Sequence, residues 1–171
     1  MVKKSSIGGI IPALVTPYDE SGSVSEESLR LLVNRGVDQG VGGFYVGGST
    51  GEAFLLTVEE RRRIIEVVVD EASSRVPVIF HVGSISTDEA IALARHGETV
   101  GADAISAIPP FYYKFSFAEV KAHYFALAEA TSLPFIVYNF PAFSGVDLDV
   151  AKAGELFAHD RIAGIKHTSK D

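Results

Sequence analysis

The segment Gly8–Gly22, GGIIPALVTPYDESG, decides between two ways of building one alternating chain. It begins as a short apolar run and opens into a polar turn. Further apolar runs follow at 42–48 (GGFYVGG), 76–83 (VPVIFHVG), 102–108 (ADAISAI), 133–139 (LPFIVYN) and 162–166 (IAGIK). None alternates polar with apolar residues, which is the pattern of parallel strands covered on both faces. Helix signals fill the gaps. Ser25 precedes an apolar face of Leu29, Leu32, Val33 and Val37 that stops at Gly40, and Asp149 is placed to cap a later helix. Thr57 with Glu60, Ser86 with Glu89 and Ser116 with Glu119 each have capping-box spacing. Strand–helix repeated five times, plus a sixth strand, is an α/β domain with a parallel sheet, either doubly wound or a (β/α)8 barrel. A doubly wound nucleotide fold calls for a glycine-rich fingerprint after its first strand. TPYDESG carries neither G-x-G-x-x-G nor G-x-x-x-x-G-K-[ST], so the barrel is favoured.

Composition limits the function. The chain has 171 residues, 47% of them hydrophobic, enough for one domain with a real core. A net charge of -7 argues against a nucleic-acid partner or an anionic membrane surface. Without cysteine there is neither disulfide nor thiolate chemistry. The opening MVKKSSIGGIIPALV only faintly resembles a signal peptide, since Gly8, Gly9 and Pro12 interrupt its apolar run. It reads as a lead-in to a strand. No run approaches the ~20 apolar residues of a membrane span, and a cytoplasmic protein is expected.

In a (β/α)8 barrel the reacting groups stand at the C-terminal ends of the strands. Those ends read Thr16–Pro17, GGSTGE (47–52), HVG (81–83), PPFYYK (109–114), YNFPAFSG (138–145) and KHTSKD (166–171). GGSTGE is either a tight turn or a set of exposed amides suited to a carboxylate or phosphate. Tyr138 read alone is a core aromatic. His81 reads as a satisfied interior histidine, Asp103 as a structural residue at the barrel's bottom, and the Glu59–Arg63 run EERRR as a solvated helix face. The five histidines form no metal-binding pair of the H-x-H or H-E-x-x-H type. Lys166 differs from the other lysines because it ends an apolar strand. A desolvated ammonium escapes its cost by losing a proton, and the free amine is a nucleophile that condenses with carbonyl compounds.

In this order, G-[ST]-T-G-E, Y-N-x-P and G-[IV]-K resemble the pyruvate-dependent class I aldolase family that contains dihydrodipicolinate synthase and N-acetylneuraminate lyase. Ser49, HVG, PFYYKFSF and the K-x-T of Lys166 and Thr168 look more like the lyase branch. The resemblance implies reversible cleavage of a sialic acid to pyruvate and N-acetylmannosamine through a lysine Schiff base, with neither cofactor nor metal. By residue, it implies Lys166 as the Schiff-base lysine and Tyr138 as the proton-transfer tyrosine. Ser49 and Thr50 would hold the pyruvate carboxylate, with Ser49 also in the proton relay. Thr168 would contact the sugar, and Tyr112 aligns with a tyrosine that reaches a neighbouring subunit. A cytoplasmic homo-oligomer, a tetramer by resemblance, acting on a small 2-keto acid is expected. The synthase, condensing pyruvate with aspartate semialdehyde, is the alternative within the family. A non-catalytic half-barrel is the alternative of another class. A (β/α)8 barrel needs about 250 residues. Residues 1–171 are therefore expected to form one incomplete catalytic domain of six strands and five helices, with the C-terminal part missing and both sheet edges open.

Overall fold

The computed structural model describes residues 7–169. The N-terminal lysines, Lys170 and Asp171 lie outside them. The chain divides into two compact units, one running to His81 and taking in Thr99–Asp103, the other formed by Val82–Glu98 and the chain from Ala104 onward.

In the first unit the expected opening strand is reduced to an extended segment. Ala13 bridges Tyr45 in parallel, with Tyr45 N donating to Pro12 O at 2.9 Å and Leu14 N donating to Tyr45 O at 3.0 Å. Pro12 has no N–H to extend the ladder. The chain then forms α1 (Glu26–Asp38), β1 (Phe44–Val46), two 3₁₀ turns (Ser49–Gly51 and Ala53–Leu55), α2 (Val58–Ala72) and β2 (Val78–His81). β1 and β2 pair in parallel, Phe44 opposite Val78 and Val46 opposite Phe80. Every residue of both strands is buried, as their unbroken apolar sequence requires. Ser25 caps α1 by accepting from Ser28 N, and Leu29 and Val33 form the buried stripe. Both arms of the capping box are made on α2, Thr57 with Glu60. The neighbouring EERRR run departs from a solvated face at Arg61. Arg61 is 3% exposed, and its guanidinium donates to His81 O at 3.0 Å. Asp103 is structural as expected: its carboxylate accepts from Val78 N at 2.9 Å.

The second unit holds α3 (Thr87–Val100), β3 (Ala104–Ala107), α4 (Phe117–Ala130), β4 (Phe135–Asn139), α5 (Pro141–Ser144), α6 (Val150–Phe157) and β5 (Ile162–His167). β3 pairs β4 and β4 pairs β5, all in parallel. Ser116 and Glu119 complete a capping box on α4, and Asp149 caps α6 through Lys152 N. The box expected at Ser86 is half made. Glu89 N donates to Ser86 Oγ at 3.4 Å, but the Glu89 carboxylate accepts from Ser84 Oγ at 2.8 Å instead of returning to the cap. The short helix α5 is additional to the five expected; a proline in its first turn and Gly145 in the left-handed region behind it fix its ends. β5 is the least covered of the described strands. Ile162 is buried, but Ala163, Ile165 and His167 are exposed and Lys166 is half-buried. Among the described residues the (β/α) alternation therefore gives five strands and one bridging segment, not six full strands.

His123 on α4 is 4% exposed, and its Nδ1 lies 2.9 Å from the Thr87 hydroxyl. Burial lowers its pKa from 6.5 to about 4, so the folded protein holds the ring neutral. Between those values the unfolded chain takes up a proton that the folded chain refuses. Stability contributed by the neutral ring is therefore complete above pH 6.5 and is lost as pH falls towards 4. Each unit of that window costs up to about 1.4 kcal/mol. Urea unfolding of His123→Gln should show a flatter dependence over this range than the unsubstituted chain. Parallel profiles would assign the acid sensitivity elsewhere. Among the described residues no helix is long and apolar enough to cross a membrane.

Candidate active site

In the first unit, the candidate residues Ser49 and Thr50 lie on the turn directly after β1. Both are exposed. Their turn is pinned at its two ends by buried side chains. His81, 0% exposed, bonds Gly47 O through Nδ1 at 2.9 Å. A carbonyl only accepts, so this nitrogen carries the hydrogen. At the other end the Thr16 hydroxyl donates to Gly51 O at 2.7 Å. The turn closes with Gly51 N donating to Gly48 O and Glu52 N donating to Ser49 O, bonds that leave the Ser49 and Thr50 amides out of the turn's own pairing. Two exposed amides and two hydroxyls at a fixed place suit a carboxylate.

Two glycines make this turn possible. Gly47 has φ +67, a conformation that disfavours side chains, while a Cβ on Gly48 would lie 2.6 Å from Cε1 of Tyr45. Tyr45 is 4% exposed and has little room to retreat. Gly48→Ala should cost about 1–3 kcal/mol, the usual penalty for overpacking a tight site. Denaturant unfolding checks this, and an unchanged midpoint would show that the ring moves freely.

The second unit brings two candidate residues together at neighbouring strand ends. Tyr138 on β4 is directly opposite Lys166 on β5. The lysine Nζ stands 3.3 Å from the centroid of the tyrosine ring. Tyr138 is 3% exposed and stacks on Phe140, ring centroids 5.7 Å apart. Phe143 meets Phe140 edge-on at 4.6 Å. This aromatic support comes from α5 and the residue before it, within the YNFPAFSG stretch that follows the strand. Lys166 is one residue short of the strand's end and half-buried, so the full desolvation expected of a buried strand end is not observed. Thr168 N donates to Asn139 O at 2.9 Å, which ties the segment after Lys166 to the end of β4. A cavity of about 380 Å³ is lined by Phe140, Pro141, Ala142, Thr168 and Ser169, the residues that follow the two strand ends. Its wall is mostly apolar with hydroxyls at one side, in the size range of small-molecule sites.

Tyr112 is 83% exposed and holds φ 78, a rare conformation for a side chain of its size. Its ring meets Tyr113 edge-on at 4.9 Å. Arg61, which pins the carbonyl of His81, was missed in the sequence because its neighbours are charged. The signal for α5 was present: proline at the start and glycine just past the end of FPAFSG.

Comparison with known proteins adds a relationship to this geometry. The dihydrodipicolinate synthetase family matches residues 6–171. N-acetylneuraminate lyase 2 of Escherichia coli O6:H1 is 48% identical over 164 residues, covering 95% of this chain and 54% of the relative. The crystal structure of CdNal from Clostridium difficile in complex with mannosamine superposes with a TM-score of 0.93 at 41% identity, over 95% of this chain and 57% of that one. A Ruminococcus gnavus sialic acid aldolase, solved as a catalytic lysine mutant, has a TM-score of 0.93 at 34% identity, over 100% of this chain and 56% of that one. The chain thus spans little more than half the length of these relatives. Together with the parallel strand–helix alternation, these likenesses give it the expected fold class, the N-terminal portion of a (β/α)8 barrel.

Proposed function

Because the chain belongs to the dihydrodipicolinate synthetase family, we propose that it carries the reacting half of an N-acetylneuraminate lyase, a class I aldolase. The observation that carries this reading is the meeting of Lys166 Nζ with the Tyr138 ring, 3.3 Å from its centroid, at the ends of adjacent parallel strands. The Lys166 amine attacks the keto carbon of the sialic acid, and water leaves as the iminium forms. The iminium draws the electron pair of the breaking C3–C4 bond, so cleavage leaves an enamine instead of a free carbanion. N-acetylmannosamine departs as the aldehyde. The sugar's C4 hydroxyl gives up its proton during cleavage; Tyr138 passes it on by accepting it as it releases its own phenolic proton to the relay, and one proton is finally delivered to the enamine carbon. Protonation of the enamine and hydrolysis return pyruvate and the free lysine. Ser49 and Thr50 hold the carboxylate, Ser49 also relays the proton, and Thr168 contacts the sugar.

The lyase names among the relatives and their 42–48% identity support this branch. The active form is a cytoplasmic homo-oligomer, a tetramer by resemblance, and the exposed Tyr112 belongs to its interface. Residues 1–171 form one incomplete domain of that enzyme. The deciding measurement uses a full-length enzyme carrying this segment. It should release pyruvate from N-acetylneuraminate and fail to condense pyruvate with aspartate semialdehyde. Robust condensation with no cleavage would assign the synthase instead.

A further inference from the structure

The strand ends that carry Tyr138 and Lys166 also carry a second polar pair, on the opposite face. Asn139 is directly opposite His167 in the register of β4 and β5. Consecutive side chains on a strand point to opposite faces. Tyr138 and Lys166 therefore share one face, and Asn139 and His167 stand behind them. Asn139 is 0% exposed. Its Nδ2 lies 3.0 Å from His167 Nδ1. An amide nitrogen only donates, so the histidine presents its Nδ1 lone pair and carries its hydrogen on Nε2. Among the described residues Asn139 Oδ1 has no partner, which leaves His167 as the partner of that buried amide.

This pair sits just past a break in the strand's register. β5 contains an irregularity: Phe135 faces Ile162 but Ile136 faces Gly164, so Ala163 is an extra residue. A one-residue slip past that irregularity would turn every side chain above it to the other face. Lys166 would then point away from Tyr138. Beyond the ladder's own backbone bonds, two contacts tie the strand ends in this register: Thr168 N to Asn139 O at 2.9 Å and the Asn139–His167 pair. The first is backbone and sequence-independent. The second is supplied by a side chain.

We infer that His167 is a positioning residue: by accepting from Asn139 it holds the register that presents Lys166 to Tyr138. The inference rests on the lyase reading only for its kinetic arm. In a full-length enzyme carrying this segment, His167→Ala should slow borohydride trapping of pyruvate on Lys166 by about three- to tenfold, the worth of one hydrogen bond. His167→Gln, which keeps an acceptor, should recover most of the rate. Amide hydrogen exchange supplies the second arm and needs no activity. Residues 165–168 should exchange faster in His167→Ala than in the parent or His167→Gln, with β3 unchanged. If the parent traps no pyruvate, the lyase reading falls and the exchange arm alone decides the positioning role. Unchanged exchange across 165–168 in His167→Ala overturns the inference, as does a glutamine variant no better than alanine in both arms.

Discussion

Borohydride reduction of a full-length enzyme in the presence of pyruvate should leave one adduct, on Lys166, and Lys166→Arg should abolish both adduct and turnover. The amine attacks the keto carbon, water departs, and hydride delivered to the iminium carbon leaves a secondary amine that survives digestion. Arginine retains the positive charge but lacks a nucleophilic amine at any working pH. The substitution therefore separates a lysine that acts as a charge from one that acts as a nucleophile. The surroundings of the other lysines sharpen the expectation. Lys121 is ion-paired with Glu155 at 2.9 Å, and Lys152 with Asp149 at 3.4 Å. Lys114 lies exposed in the loop before α4. Lys166 faces an aromatic ring at a strand end, and the cavity lined by Phe140 and Thr168 begins just past the two strand ends. An adduct mapped to Lys114 or Lys170, or full turnover in Lys166→Arg, would remove the Schiff base from the mechanism.

The sequence disclosed what depends on neighbours along the chain and concealed what depends on neighbours across it. Thr57 and Ser116 cap their helices through residues three positions away, so both helix starts were readable. The apolar runs at β1 to β4 were readable because cover on both faces leaves a composition that solvent would not permit. β5 was readable from the same composition, although Ala163, Ile165 and His167 are exposed. Arg61 shows the reverse case. Its run is charged throughout, yet one guanidinium turns inward because the His81 carbonyl waits at the end of β2. The candidate site divides along the same line. The order of GSTGE, YNFP and GIK named the residues, and resemblance gave them roles. That Tyr138 and Lys166 meet is a statement about register, and register past the irregularity at Ala163 could not be counted from the sequence. The Asn139–His167 bond was hidden for the same reason.

Tyr138→Phe should retain the fold and lose most of the turnover. The ring is 3% exposed and stacks on Phe140 at 5.7 Å, contacts that phenylalanine preserves. Replacement by alanine would instead empty a packed aromatic site and confuse instability with chemistry. Only the hydroxyl distinguishes Tyr138→Phe from the parent. If that hydroxyl moves the proton during carbon–carbon cleavage, the chemical step should slow by roughly 10²–10⁴-fold. That range corresponds to about 3–5 kcal/mol of lost transition-state stabilisation. The nucleophile is untouched, so pyruvate should still form a reducible adduct on Lys166. The two substitutions thus fail differently: Lys166→Arg before any covalent bond forms, Tyr138→Phe after it. Single-turnover measurement of cleavage beside borohydride trapping and near-ultraviolet circular dichroism separates these outcomes. Unchanged single-turnover cleavage would return Tyr138 to the role of a core aromatic, and loss of trapping in Tyr138→Phe would mean that the phenol assists iminium formation itself.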